Sequence, residues 1–569
     1  MTYIIHLNEL SVLRFLLLAT SGRQPYLLRV EPIFPQAARL LGAIADRAVR
    51  AGRARWIVDL CPALRPEWDH PPRVLLHDVF AKTEAWHNSY FRFEAADRDS
   101  PDYALAYKQI TCCHTWFRHV AVLILKSVLE DATPGSAVKV IGLPADARAL
   151  VEAYAGDGLT VPARPDRTPN RLINFAILLL NLMYGVAFAI SRLKPFGVRS
   201  QSVFLAADYI HDPRDFQLYE MAKAGGPVLL VGRVALPDLD KFPELAGHPA
   251  CRPNAGAFTW SGMAQAIKTV VTDSFHLFRQ FRHLGPDLFY KIATLPSRRI
   301  LLRSLFTKYR PRYFWGRDPY NAEHILRRQE LARVGGQSLG LIPATPAYTI
   351  LFPHIRYVSF DRVYVPERTL FAEFYADTWP SDMVITGTAS HSIDAQRLDE
   401  RDTPRPSDIA VFTAIFVSED GMVDLVRGLA EAFPDRRIFL KVKWNFIETE
   451  TGKRFIAACT EGLANVELAR KSVYDVLRDV RYAFSDPSSV IYEAIHLGVS
   501  AFAVDVSASQ VTSVFRRVPG LAVRSAREAV DRIRDIESGA WQYPIESCAE
   551  FVDLAARPSI EVIEADLGL

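Results

Sequence analysis

The 569-residue sequence has six cysteines, no CxxC pair, no internal repeat and no low-complexity tract, and each of these lacks removes a class of protein. Cys61, Cys112, Cys113, Cys251, Cys459 and Cys548 are scattered, which excludes a dense disulfide scaffold and points to a reducing cytoplasm. Cys112-Cys113-His114 are adjacent, and adjacent ligands fit one tetrahedral site poorly, so they read as a buried helical segment; neither a metal nor an organic cofactor is expected. Charge of one sign is also lacking, since 67 Lys and Arg against 64 Asp and Glu leave a net +3. No basic field exists to recruit nucleic acid. Leu10–Ala19 is apolar but interrupted by Arg14 and lacks the flanks of a signal peptide; it reads as a first strand, with Phe15–Leu18 at its centre.

What is present is an ordinary globular composition, 49% apolar and 23% charged. At roughly 100–200 residues per domain the length predicts about three units. Residues 1–165 read as an irregular α/β region, with further strands at Tyr26–Val30, Trp56–Leu60 and Val138–Ile141 and a helix over Ala145–Tyr154. Residues 166–199 form a linker and one hydrophobic helix. Residues 200–379 read as a Rossmann-like domain with an interdomain segment: strands Val203–Ala207, Val228–Val231, Arg312–Trp315 and Ser338–Ile342, and helices Pro213–Lys223, Ser261–Phe281 and Pro319–Arg333, the last capped by Asp318. A second Rossmann-like domain, 380–569, reads as strands Met383–Ile385, Ile409–Phe412, Ile438–Val442, Tyr482–Ser485 and Ala501–Val504 with helices between them.

The one long apolar run, Leu172–Ile190, has Asn174 and Asn181 as its only strongly polar members and is nearly long enough to span a bilayer. Arg167 and Arg171 precede it, and Arg192, Lys194 and Arg199 follow, so the positive-inside rule gives no orientation. Three readings stand: a helix lying on or re-entering an anionic membrane surface, a buried core helix, and a single span.

Lys471–Asp505 is the most informative stretch. Ser472 and Asp475 approximate a capping box, Tyr482–Phe484 is a buried strand, and the turn Ser485–Pro487 delivers Ser488 and Ser489 to the start of a helix that Gly498 stops. Free backbone N–H groups, two hydroxyls and the positive helix end meet there, a combination that favours phosphate. Glu493 lies one turn on, within reach of a sugar hydroxyl. The alternative is that the serines merely cap the helix and Glu493 is solvated.

Ser488-Ser489-Val490-Ile491-Tyr492-Glu493-Ala494-Ile495-His496-Leu497-Gly498 resembles the SS-x-x-x-E-A-x-x-x-G signature of GT-B enzymes that build capsules and related polymers, among them polysialyltransferases, Kdo transferases and polyglycerolphosphate transferases. The stretch from Tyr313–Glu323 through Pro353–Tyr357 is similar to the segment joining the two domains in proteins of surface-carbohydrate biosynthesis, and the resemblance covers roughly residues 310–510. It implies an α/β, GT-B-like fold, with two Rossmann-like domains facing a cleft. It also implies that Ser488 and Ser489 hold a nucleotide phosphate and that Glu493 lies near the ribose. The family's Lys-x-His-Pro motif is replaced here by Lys441-Val442-Lys443-Trp444-Asn445, in which Lys443 supplies a positive charge for phosphate.

Sugar transfer with inversion needs a base for the acceptor and positive groups for the leaving phosphate. Asp208, directly after a strand, is the first candidate base, with a turn or cap residue as its alternative. Asp318 and Glu323 form a second acidic pair beside Arg317, and His354 is a candidate donor contact. Arg298, Arg299, Arg303, Lys308, Arg310 and Arg312 read either as a solvated face or as a site for an anionic acceptor. The expectation is a cytoplasmic enzyme at the inner face of the cell membrane, moving sugar from a nucleotide-sugar donor, of which a CMP-linked acidic sugar is one candidate, to a glycan or lipid-linked acceptor. A nucleotide-sugar epimerase and a catalytically silent scaffold are the alternatives.

Overall fold

A computed structural model of the chain describes residues 2–57, 103–114, 125, 128, 138–155, 170–210, 215–233, 235–317, 321–342, 357–375, 379, 381–387, 405–413, 419–486, 488–506, 514–555 and 557–569. Asp318, His354 and part of the expected strand Trp56–Leu60 lie outside these residues.

Among the described residues three parallel sheets follow one another. The first holds β1 (Thr2–Leu7), β2 (Tyr26–Val30), β3 (Arg55–Trp56) and β4 (Val138–Ile141) in the order β3-β2-β1-β4. The second holds β5 (Gln201–Ala207), β6 (Val228–Val231), β7 (Ala250–Cys251), β8 (Tyr309–Trp315), β9 (Gln337–Leu341), β10 (Arg362–Val365) and β11 (Asp382–Ile385). Its order is β11-β10-β9-β8-β5-β6-β7. The third holds β12 (Ile409–Phe412), β13 (Ile438–Lys441), β14 (Val466–Leu468), β15 (Tyr482–Ser485), β16 (Ser500–Val504) and β17 (Ala522–Val523), in the order β14-β13-β12-β15-β16-β17. Strands covered by helices on both faces are apolar throughout, and Val228–Val231, Ile409–Phe412 and Tyr482–Ser485 are buried at every position. Numbered within its own sheet, the third follows the Rossmann order 3-2-1-4-5-6, and the second does the same with a seventh strand added at the edge. The fold is therefore α/β with two Rossmann-like domains, a smaller N-terminal α/β layer and one apolar helix, Asn170–Ser191.

Four expectations are corrected. Phe15–Leu18 lies in a helix, Val12–Thr20, not a strand: Phe15 and Ala19 point inward at helical spacing while Leu13 and Leu17 are exposed, a distinction that a short apolar run does not reveal. Asn8 starts that helix by accepting from the backbone N–H groups of Leu10 and Ser11, both at 3.0 Å. Met383–Ile385 does not open the third sheet but pairs with β10 as the edge of the second. The final helix, Ser559–Leu567, returns to the second domain, where Ile563 and Leu567 pack with Phe204 and Tyr364. Asp566 there accepts from Arg362 at 2.8 Å and from Tyr364 at 2.7 Å. The helix expected from Pro319 is described over Glu323–Ala332, and Asn321 Oδ1 accepts the Glu323 N–H at 2.8 Å.

Candidate functional site

In an open parallel sheet, ligands bind beyond the carboxyl ends of the strands, at the point where strand order reverses. That point lies between β12 and β15 in the third sheet and between β5 and β8 in the second. Just past several of these strand ends stands a buried polar residue: Asp208 after β5, Arg317 after β8, Glu367 after β10, Thr386 after β11, Thr413 after β12, Asp486 after β15 and Asp505 after β16. Burying such groups costs free energy unless they are paired or used, and here they collect along one edge of each domain.

At the third sheet, Phe412 pairs with Ser485, so Thr413 and the turn after Ser485 flank the reversal. Ser485 Oγ donates to the Asp486 carbonyl at 2.8 Å and lies 3.3 Å from Ser488 Oγ. Ser488 caps the helix Ser489–His496 through the Val490 N–H at 3.2 Å. Helix capping by Ser488 is thus real, but Glu493 is buried, which rules out the solvated reading. Gly498, at φ +75°, ends the helix as a Schellman motif, with Val499 N–H to the Ala494 carbonyl at 2.9 Å and Gly498 N–H to that of Ile495 at 3.0 Å. Lys443 is exposed at the turn after β13, two strands from β15 and hence about 10 Å along the same edge.

The second domain reaches this helix through Glu367. Its carboxylate accepts from the Leu370 N–H at 3.0 Å and, despite bonds from the backbone of Leu370, Phe371 and Thr369, burial pushes its pKa up to about 7. Leu370, whose N–H Glu367 accepts, shares a buried apolar cluster with Ile491 and Tyr492 of the helix that carries Glu493, and burial raises the Tyr492 phenol well above its usual range, with the Glu367 charge adding to that rise. Arg517 and Glu373 join the same two domains through bonds of 2.7 and 2.8 Å.

At the β5/β8 reversal, buried Asp208 pairs with Arg327 at 2.5 Å and lies 3.9 Å from Arg233, while buried Arg317 and Asp215 pair at 3.2 Å. A Cβ at Gly316 would lie 2.1 Å from Arg327 Nη1, so any larger residue there displaces the guanidinium. Glu323, half-buried, opens the helix that carries Arg327. The structure therefore brings Asp208 together with Arg233, Arg317 and Arg327. Ser488, Ser489 and Glu493 gather at the other reversal, with Lys443 along its edge.

The basic cluster near residue 300 is corrected in part. Arg303 is held by Glu330 at 2.8 and 2.9 Å, and buried Arg299 lies 3.6 Å from Glu330 and 3.8 Å from Asp273. These two cations are spent inside the protein. Residues that sequence reasoning missed are Glu367, Thr413, Arg233 and Arg327; Thr413 had a sequence signal in its place just beyond the expected strand Ile409–Phe412, whereas the strand before Glu367 was itself not expected.

No family model and no curated protein matches the chain. Among solved structures it is similar to the wall teichoic acid polymerase TagF, at 11% identity and a TM-score of 0.42 over 70% of this chain and 97% of that one. It is also similar to Acinetobacter baumannii MurG, at 10% identity and 0.38 over 65% and 99%. A third likeness is to Neisseria meningitidis UDP-GlcNAc 2-epimerase, at 10% identity and 0.35 over 64% and 99%.

Proposed function

We propose that the protein is a glycosyltransferase of surface-polysaccharide assembly, which takes sugar from a nucleotide-activated donor and passes it to a glycan or lipid-linked acceptor. The observation that carries this reading is the Ser485–Ser489 turn at the β12/β15 reversal, with buried Glu493 one turn into the helix it opens. Backbone N–H groups and the hydroxyls of Ser488 and Ser489 hold the donor phosphate, and Glu493 accepts from the ribose. Lys443 supplies positive charge for the leaving nucleotide. A CMP-linked acidic sugar is one candidate for the donor.

The acceptor is presented from the β5/β8 reversal, where Arg233, a third exposed, suits an anionic group. Asp208 is the candidate base of that edge, with Glu323 and Asp318 as the other acids. Calorimetric titration of the purified protein with CMP, CDP and UDP tests the reading: micromolar binding of one of them, weakened by Ser489→Ala, is expected. No binding of any nucleotide or nucleotide sugar would instead favour a silent scaffold, a reading that the Asp208–Arg327 pair supports by occupying the candidate base. Conversion of a nucleotide sugar without acceptor would identify an epimerase.

A further inference from the structure

The helix Asn170–Ser191 is covered along one side only. Asn174 Nδ2 donates to the carbonyls of Arg282 at 3.1 Å and Leu284 at 2.9 Å, while Ile177, Leu178, Phe188 and Ala189 are buried. A Cβ on Gly185 would lie 2.8 Å from Val270 Cγ1, so the neighbouring helix Trp260–Phe281 approaches closely. The pair is antiparallel: the start of the first meets the end of the second through Asn174, and past the other end Lys194 N–H bonds the Phe258 carbonyl at 2.8 Å.

The opposite side is an unbroken apolar stripe. Leu172, Phe175, Leu179, Leu180, Met183 and Ile190 recur at spacings of helical periodicity, with Leu172 and Met183 each 68% exposed and Leu180 57%. At 1.5 Å per residue the stripe runs roughly 27 Å. It is extended at one end by fully exposed Phe196 and by Trp260, 59% exposed at the start of the second helix, and flanked at the other by exposed Phe275. So large a contiguous apolar surface marks an interaction site.

Charge decides the occupant. Residues 170–200 contain Arg171, Arg192, Lys194 and Arg199 and no acid. The second helix and the turn after it add exposed Lys268, Arg279 and Arg282. Their one acid, Asp273, is turned towards the Tyr103 hydroxyl at 2.7 Å and Arg299 at 3.8 Å. An apolar stripe with cations beyond both of its ends and on the neighbouring helix, and with tryptophan and phenylalanine at one end, complements the headgroup region of an anionic bilayer. We infer that this helix pair is a monotopic docking face for an anionic phospholipid surface, with Asn170–Ser191 lying in the membrane plane. The bonds that Asn174 makes to the protein, and the buried side of the helix, oppose a span.

Co-sedimentation of the full-length protein with phosphatidylglycerol-containing and pure phosphatidylcholine vesicles tests this without reference to activity, so it succeeds or fails separately from the transferase reading. The wild type is expected to pellet with the anionic vesicles and to be released by salt and carbonate. Leu180→Asp with Met183→Asp, both at exposed positions, lowers binding on the order of tenfold or more at unchanged circular dichroism. Lys194→Glu with Arg199→Glu removes the preference for anionic lipid. The inference is overturned if the wild type stays in the supernatant, if the aspartate pair pellets like the wild type, or if carbonate fails to extract the protein, which indicates a span. It is equally overturned if the wild type is a dimer that the aspartate pair dissociates, since a second copy then covers the face.

Discussion

Asp208 Oδ2 lies 2.5 Å from Arg327 Nη2, with both side chains buried where β5 and β8 end. This contact fixes what the candidate base is able to do. With Oδ2 bonded to the Arg327 guanidinium, Asp208 reaches an acceptor hydroxyl as a base only if acceptor binding loosens the pair. Removing one partner of a buried pair leaves the other charge stranded. Asp208→Ala is therefore expected to cost about 3–5 kcal/mol by urea denaturation, with part of the loss restored in the Asp208→Ala, Arg327→Met double variant. Asp208→Asn, which keeps an acceptor oxygen, separates the roles. Turnover lower by on the order of a hundredfold or more at unchanged donor affinity would support the base, whereas wild-type turnover would leave Asp208 as an orienting residue for Arg327.

Glu367 makes stability depend on pH in the direction opposite to most carboxylates. Its pKa rises from 4.5 to about 7 on folding. The unfolded chain thus ionises first, so the stability that the neutral carboxyl confers is complete below about pH 4.5 and is lost as pH rises through about 7. Glu367→Gln keeps the acceptor for the Leu370 N–H but cannot ionise. Its stability relative to wild type is expected to be near zero at pH 4.5 and to reach about 3 kcal/mol at pH 8. Paired urea melts across that range check it, and a difference independent of pH would show that the carboxyl is not held neutral.

Glu493 is expected to govern nucleotide affinity rather than folding. Glu493→Gln preserves volume while removing a charged acceptor, and a lost charge-assisted hydrogen bond is worth about 1.5–3 kcal/mol, roughly a tenfold to hundredfold rise in Kd. Titration with the nucleotide that the wild type binds is the measurement. Affinity within twofold of wild type would remove Glu493 from the site.

The four central strands of the third sheet were legible almost residue by residue, because short apolar strands bounded by polar turns leave little freedom: Ile409–Phe412 and Tyr482–Ser485 are observed at their expected bounds, whereas the outer strands Val466–Leu468 and Ala522–Val523 were not expected. Val228–Val231 and Val138–Ile141 are likewise observed at their expected bounds. Sheet membership was not legible for Met383–Ile385, since a strand's partner is set by contacts far along the chain and not by its own pattern. Arg299 and Arg303 misled for the same reason, as Glu330 lies about 30 residues away in sequence. Glu367 gave no local sign of its raised pKa, because that shift arises only when a domain joint buries it. The Ser488 to Gly498 motif was readable because both ends of its helix are local chemistry.

Those two ends offer a further test of the site. Ser488→Ala removes the side-chain cap on Val490 and is expected to cost about 1 kcal/mol. Gly498→Ala forces a Cβ into φ +75° and costs about 1–2 kcal/mol. The two substitutions thus damage one helix to a similar degree, which thermal melts will register. A helix that merely packs against the sheet would respond to both alike. If its N-terminus holds a phosphate, only Ser488→Ala raises the nucleotide Kd, because the hydroxyl and the ordered N–H groups lie at that end while Gly498 lies about 15 Å away at the other. Equal affinity losses would reduce Ser488 to a cap.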